Sequence, residues 1–248
     1  MQTLERSATI HLPITSAKKI AVVDDDETAR NNISLRIEDM EGFEPILIEQ
    51  SDEYSSDANK LADYIAQKDV YGVICDHRLK PLGFADFYGS KLVAALYDKK
   101  IPAILVTQFF HPDLNISIRE YRDKIPVLIE RKYINPIEIV NGLEYCLSEI
   151  NGKFSRFRKP YNTLVRIDSF HNEDGKDIVD AIIPGWDYET AVRFPKSIIP
   201  EELHEHLSIG TRLFADVNIG AETNDQIYLK NFELAPDPRG IDINDLIS

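Results

Sequence analysis

Short apolar runs alternate with amphipathic stretches through the first 150 residues. The runs are IAVV (20–23), PILIE (45–49), VYGVIC (70–75), PAILVT (102–107) and IPVLIE (125–130). Such near-continuous runs fit strands buried on both faces of a parallel sheet. Between them, helical spacing relates Ala29, Ile33, Ile37 and Met40; Leu61, Ala62 and Ile65; and Leu92, Val93, Leu96 and Tyr97. The last amphipathic stretch has the plainest start: Asn135 suits an N-cap and Pro136 the first helical position. Its apolar stripe runs through Ile139, Val140, Leu143, Cys146, Leu147 and Ile150. Strand–helix alternation predicts right-handed crossovers and a doubly wound, five-stranded α/β sheet over 18–150.

The pattern then changes. NGKFSRFRKP (151–160) reads as a basic linker, and the segments beyond it read mostly as strands: 162–170, 176–185, 188–195, 211–220 and 226–234. One short helix, PEELHEHL (200–207), separates the third from the fourth. Five strands with a helix there predict a small all-β barrel over 161–236, OB-like or SH3-like. Residues 1–17 are left as an N-terminal extension and 237–248 as an acidic tail.

Charge sharpens this division. The net charge is −14, with −8 over 1–150, +4 over 151–160 and −10 over 161–248. Nucleic-acid affinity rests on Lys and Arg neutralising phosphates, so the acidic C-terminal region argues against a nucleic-acid partner there. A local basic–aromatic patch, KFSRFRKP, stays open as an alternative. No apolar run approaches the ~20 residues of a membrane helix, and MQTLERSATIHLP lacks the marks of a secretory signal. With only Cys75 and Cys146 present, no disulfide framework is expected and a cytoplasmic location is.

Candidate chemistry follows from topology, because ligands of doubly wound sheets bind outside the carboxyl ends of the strands. Those ends carry Asp24 and Asp25, then Asp76, Thr107 and Lys132. The first of them lie in IAVVDDDETAR, where three adjacent carboxylates repel one another unless they are solvated or a cation sits among them. Asp26 reads as the solvated start of the first helix, where negative charge is favoured. Arg131 precedes Lys132, and either side chain can point into the site.

In this ordered set, residues 18–150 resemble a response-regulator receiver domain of two-component signalling. The resemblance implies Mg²⁺ held by Asp25 and Asp76, with Asp24 acting through water and the Arg78 backbone carbonyl completing the set. It implies Asp76 as phosphoacceptor, Thr107 and Lys132 meeting the phosphoryl charge, and a sensor histidine kinase or phosphotransfer protein as donor. No enzyme activity beyond self-phosphorylation and self-dephosphorylation is expected. The β domain would contact a protein effector, as in receivers without DNA-binding outputs that serve defence signalling; a homodimer is left open. The alternatives are a phosphorylation-independent scaffold and a nucleic-acid-binding regulator using the barrel.

The chain departs from the family at several points. Gln108 stands where a small residue is usual, followed by Phe109, Phe110 and His111. Ile129 replaces an aromatic, and Tyr133 follows the lysine in place of proline. The His77–Tyr88 loop is long, with Phe84 and Phe87 reading as exposed. Phe109, Phe110, Ile116 and Ile118 are expected either to form a partner surface or to pack under a fourth helix.

Overall fold

The computed structural model describes residues 17–108, 114–173 and 175–236. The expectations placed on Phe109, Phe110, His111, the N-terminal extension and the acidic tail lie outside these.

Five parallel strands form the first sheet: β1 (Lys18–Val23), β2 (Phe43–Leu47), β3 (Gly72–Asp76), β4 (Ala103–Thr107) and β5 (Val127–Glu130). Their order is β2-β1-β3-β4-β5, the doubly wound arrangement expected. The helices are α1 (Glu27–Glu38), α2 (Ala58–Ala66), α3 (Gly89–Asp98) and α4 (Pro136–Ile150). Alternation along each strand feeds two cores. Val22, Ile74 and Ile104, in register across β1, β3 and β4, pack with Ile33 and Ile37 of α1 and Ile139 and Leu143 of α4. Their strand neighbours Val23, Cys75 and Leu105 face the opposite side, with Leu61 and Ile65 of α2 and Leu92 and Leu96 of α3. Both faces are covered, which is why these strands read as continuous apolar runs.

The connection from β4 to β5 departs from expectation. Where a fourth crossover helix was anticipated, the chain makes a π-helical turn over Leu114–Ile118 and a 3₁₀ segment over Arg119–Lys124. Ile118 is buried in the first core, while Arg119 and Arg122 are buried against the second unit. No single helical face serves both surfaces, and the tighter and wider turns split the side chains between them.

The second unit is a five-stranded antiparallel sheet: β6 (Tyr161–Glu173), β7 (Lys176–Ile183), β8 (Asp187–Pro195), β9 (Arg212–Val217) and β10 (Leu229–Leu234), in the order β10-β9-β6-β7-β8. The predicted helix is a 3₁₀ segment, Glu201–His206. An OB-type barrel closes this order by pairing its third and fifth strands. Among the described residues β8 and β10 form no such ladder, so what they show of the expected barrel-like unit is an open five-stranded sheet. The sheet is nonetheless coiled enough that Phe194 of β8 and Phe232 of β10 meet across the core, ring centroids 5.9 Å apart.

The segment 151–160, read from the sequence as a basic linker, is held as a strut through Arg158. Arg158 is buried and forms a two-pronged ion pair with Glu149 of α4, Nε to Oε2 at 3.0 Å and Nη2 to Oε1 at 2.8 Å. It also donates to the carbonyls of Arg122 and Asp123, and its own carbonyl accepts from the Tyr228 hydroxyl at 2.6 Å. Arg119 donates to the carbonyls of Asn224 and Ile227. The two sheets are thereby joined through three buried arginines.

Candidate functional site

The site forms where β1, β3, β4 and β5 end. Val23 and Cys75 are register partners, so Asp24 and Asp76, one residue beyond them, emerge side by side. Asp76 itself pairs with Val106, which puts Thr107 one step further along the neighbouring strand. Asp24 is fully buried, Asp76 and Thr107 nearly so. Asp25 is half-buried, and single oxygens of Asp24, Asp25 and Asp76 lie within 4.8 Å of one another. Asp26 stands apart as the N-cap of α1, its carboxylate accepting from the Thr28 and Ala29 amides.

Backbone amides hold the three carboxylates in place. Asp24 Oδ1 accepts from the Asp26 amide at 2.9 Å, Asp76 Oδ2 from the Arg78 amide at 2.8 Å, and Asp25 Oδ2 from the Leu82 amide at 3.0 Å. The last bond shows what the long loop does: it folds back over the acidic pair. Phe84 and Phe87, expected to be exposed, are buried in the core beside α2 and α3 and anchor the loop from below. The loop's return is fixed by Gly89, which opens α3. Its amide donates to the His77 carbonyl at 2.7 Å, and a Cβ there would lie 1.9 Å from the Asp76 carbonyl oxygen. Only glycine allows so close a backbone approach.

The lysine expectation is corrected. β5 ends at Glu130 and the chain turns into a 3₁₀ segment, Arg131–Tyr133. That turn brings Arg131 over the carboxylates and sends Lys132 outward, where its ammonium pairs with Glu130 at 2.6 Å and lies over the Tyr133 ring. Arg131 Nη2 reaches Asp76 Oδ1 at 2.5 Å and Asp24 Oδ2 at 2.9 Å. The cation among the carboxylates is thus one the chain supplies itself.

One guanidinium does not balance this much buried negative charge. Burial, with Asp76 adding to it, pushes the Asp24 carboxyl up to about 7 despite Arg131 and the Asp26 amide. Burial also raises Asp76, against the pull of Arg131. Burial works against the charge on Arg131, but Asp76 and Asp24 outweigh it and raise its pKa. Asp24 Oδ2 is buried and accepts no hydrogen bond among the described residues, its contact with Arg131 being an ion pair alone. Close carboxylate oxygens, one of them lacking a hydrogen bond, suit a hard divalent cation such as Mg²⁺. The residues fit a metal of that kind.

A cleft of about 320 Å³ opens over the site, lined by Asp25, Asp76, Arg78, Leu82, Gln108 and Arg131. Gln108, which follows Thr107, is thus part of the wall of this cleft. Immediately after Asp76, the buried His77 ring stacks on Tyr88 with centroids 5.0 Å apart, and its Nε2 lies 2.8 Å from Ser117 Oγ.

Elsewhere, Ser169, His171 and Asp180 cluster on the second sheet, but Ser169 Oγ and Asp180 Oδ2 both meet His171 Nε2, at 3.0 and 2.8 Å. A nucleophile–base–acid relay needs the two partners on opposite ring nitrogens, so the cluster is a surface network tied to Arg193. Trp186 packs on the second core with its Nε1–H donated to the Ala221 carbonyl at 2.8 Å.

No protein-family model matches the chain, and no curated protein matches it. No helix among the described residues is long and apolar enough to cross a membrane. Solved structures do show similarity. One is a response regulator receiver domain protein from Clostridium thermocellum, 18% identical, covering 55% of this chain and 99% of that one at a TM-score of 0.41. Another is a CheY-like receiver domain protein from Methanospirillum hungatei JF-1, 20% identical, covering 56% and 100% at 0.40. A third is the signal receiver domain of an HD domain-containing protein from Pseudomonas fluorescens Pf-5, 15% identical, covering 58% and 97% at 0.39. All three of these structures are receiver domains, matched to the N-terminal half of this chain.

Proposed function

We propose that the chain is a response-regulator-like phosphoacceptor, with Asp76 taking a phosphoryl group from the phosphohistidine of a sensor kinase or phosphotransfer protein. The observation that carries this reading is the convergence of Asp24, Asp25 and Asp76 at the ends of β1 and β3, beside Arg131 and with Thr107 at the end of β4. In the transfer, an Asp76 carboxylate oxygen attacks phosphorus and a P–O bond forms. The P–N bond to the donor imidazole breaks, and its electron pair stays on the imidazole. Asp24, Asp25 and Asp76 would hold Mg²⁺, which when bound supplies positive charge toward the phosphoryl oxygens. Arg131 meets the remaining charge, a role in which its planar fork suits phosphate oxygens. Gln108 and Leu82 narrow the approach and set how readily a donor reaches Asp76.

The open antiparallel sheet is read as the output unit, contacting a protein effector and not a nucleic acid. The charge of −10 over residues 161–248 supports this, as does the burial of Arg158 against Glu149, which removes it from the basic patch of the linker. No separate enzyme activity is assigned to it.

One observation favours the scaffold alternative: Arg131 already bridges Asp24 and Asp76, and a built-in cation can replace a metal in holding such a site together. Exposure to acetyl phosphate with Mg²⁺ separates the two. Phosphoacceptance predicts the added mass of a phosphoryl group on wild type, absent from Asp76→Asn. An unmodified wild type, with no binding of a beryllofluoride mimic, leaves the scaffold.

A further inference from the structure

The joint between the two sheets carries more buried positive charge than it balances. Arg158 is paired with Glu149. Arg119 and Arg122 are equally buried, at 3% and 5% exposure, yet neither forms an ion pair with a carboxylate among the described residues. Arg119 spends its Nη nitrogens on Asn224 and Ile227, and its Nε has no hydrogen-bond partner among those residues. Arg122 donates Nε to the Asp225 carbonyl at 3.0 Å and Nη1 to the Ile125 carbonyl. Its Nη2 donates to nothing among the described residues. Burial, aided by Arg158 and Arg119, brings Arg122 down to about 9, the direction expected of a guanidinium short of counter-charge.

Arg122 also lines a cleft of about 410 Å³ between β5, α4, the strut and the loop before β10. That volume suits a small organic molecule. The cleft is graded. Buried Arg122 and Arg158 lie on one part of its wall, Tyr145 and Phe157 offer half-buried aromatic faces, and Val127 and Leu128 add apolar surface. Glu138 and Glu222, which also line it, are exposed and solvated, and the half-buried Asp225 beside them forms no ion pair with Arg122 among the described residues, so these carboxylates oppose an inner negative charge less than a buried guanidinium attracts it.

We propose that this interdomain cleft binds a small organic anion, with its phosphate or carboxylate head on Arg122 and an aromatic body against Tyr145 and Phe157. Arginine is well suited to both parts, pairing with planar or tetrahedral oxyanions and tolerating an aromatic neighbour. Such a ligand would touch the receiver-like unit and the second sheet together. The site is separate from the carboxylates at Asp76, and Asp76→Asn leaves its walls intact.

Calorimetric titration of the full chain with phenyl phosphate and with benzoate tests this, and the tighter of the two identifies the head group. The expected result is saturable binding of at least one probe to wild type and to Asp76→Asn, weakened about tenfold or more by Arg122→Gln. Because Arg122 also braces the joint, Asn141→Trp serves as a second variant. It fills the cleft from an exposed position on α4 and is expected to abolish binding while leaving the melting temperature unchanged. Absence of saturable binding overturns the proposal. So does binding that survives Asn141→Trp, that disappears only in Asp76→Asn, or that inorganic phosphate matches.

Discussion

Arg131 Nη2 sits 2.5 Å from Asp76 Oδ1 and, at 2.9 Å from Asp24 Oδ2, ties together carboxylates from two strand ends. A divalent ion seeking the same oxygens therefore competes with a tethered guanidinium. Replacing Arg131 by Gln removes that competitor and the repulsion between two cations. Mg²⁺ is expected to bind Arg131→Gln several-fold more tightly than wild type, and to raise its melting temperature by more, both readable by titration calorimetry and thermal unfolding. Lys132→Gln, whose side chain faces Glu130 outside the site, is expected to leave both quantities unchanged. Weaker Mg²⁺ binding by Arg131→Gln would mean that the guanidinium assists the metal.

The Asp24 carboxyl, lifted to about 7 chiefly by burial, gives the site a pH dependence of definite sign. Between the usual Asp range and about 7 the folded protein holds a proton that the unfolded chain has lost. The metal-free fold therefore loses stability as pH rises through that window, on the order of 4 kcal/mol across it. A metal ligand must be deprotonated, so Mg²⁺ affinity is expected to rise between about pH 6 and about pH 8, with proton release on binding. Calorimetry in buffers of different ionisation enthalpy measures that release. An affinity flat across the interval, with no proton released, would show that Asp24 is already ionised there.

Much of this geometry is legible in the sequence, and the parts that are not share a cause. The five parallel strands announce themselves because both their faces are covered, and α4 because Asn135 caps it, accepting from the Ile137 and Glu138 amides. Asp24 and Asp76 follow from strand ends and topology alone. The choice between Arg131 and Lys132 does not, because it depends on the phase of one 3₁₀ turn, and a single residue of phase exchanges inside for outside. Phe84 and Phe87 look exposed in a Pro- and Gly-containing loop, and only the loop's path beneath the site buries them. Arg119 and Arg122 carry no mark of burial in their own stretch of sequence. What takes them inside is a second unit whose carbonyls they reach more than a hundred residues along the chain. Barrel closure is equally a long-range matter between β8 and β10.

Gly89 offers a test of how the acidic site is supported from behind. A Cβ there would stand 1.9 Å from the Asp76 carbonyl oxygen and 2.8 Å from Cys75 Sγ, both too close for any side-chain carbon. Gly89→Ala must push α3 away from the end of β3, loosening the bond from the Gly89 amide to the His77 carbonyl. Overpacking of this kind costs about 1–3 kcal/mol. The expected outcome is a folded protein with a lowered urea midpoint and weakened Mg²⁺ binding, since Asp76 moves with its backbone. An unchanged midpoint would show that the helix start yields without cost.

The Arg158–Glu149 pair tests whether the strut joins the two units energetically. Both side chains are almost fully buried, 4% and 1% exposed, so removing one partner strands the other's charge. Arg158→Met is expected to cost about 3–5 kcal/mol, and Glu149→Met a loss in the same range, because a buried unpaired ion is far worse than a missing pair. Arg158 also donates to the Arg122 and Asp123 carbonyls, so Arg158→Met should be the worse of the two. The double variant Arg158→Met/Glu149→Met replaces the pair with apolar volume and should recover much of the loss, leaving chiefly the cost of the two bereft carbonyls. Urea unfolding of all four proteins closes the cycle. Strong coupling between the substitutions, with a single cooperative transition in wild type, is the outcome expected if the two sheets unfold as one. Additive losses would instead make the ion pair incidental to the joint.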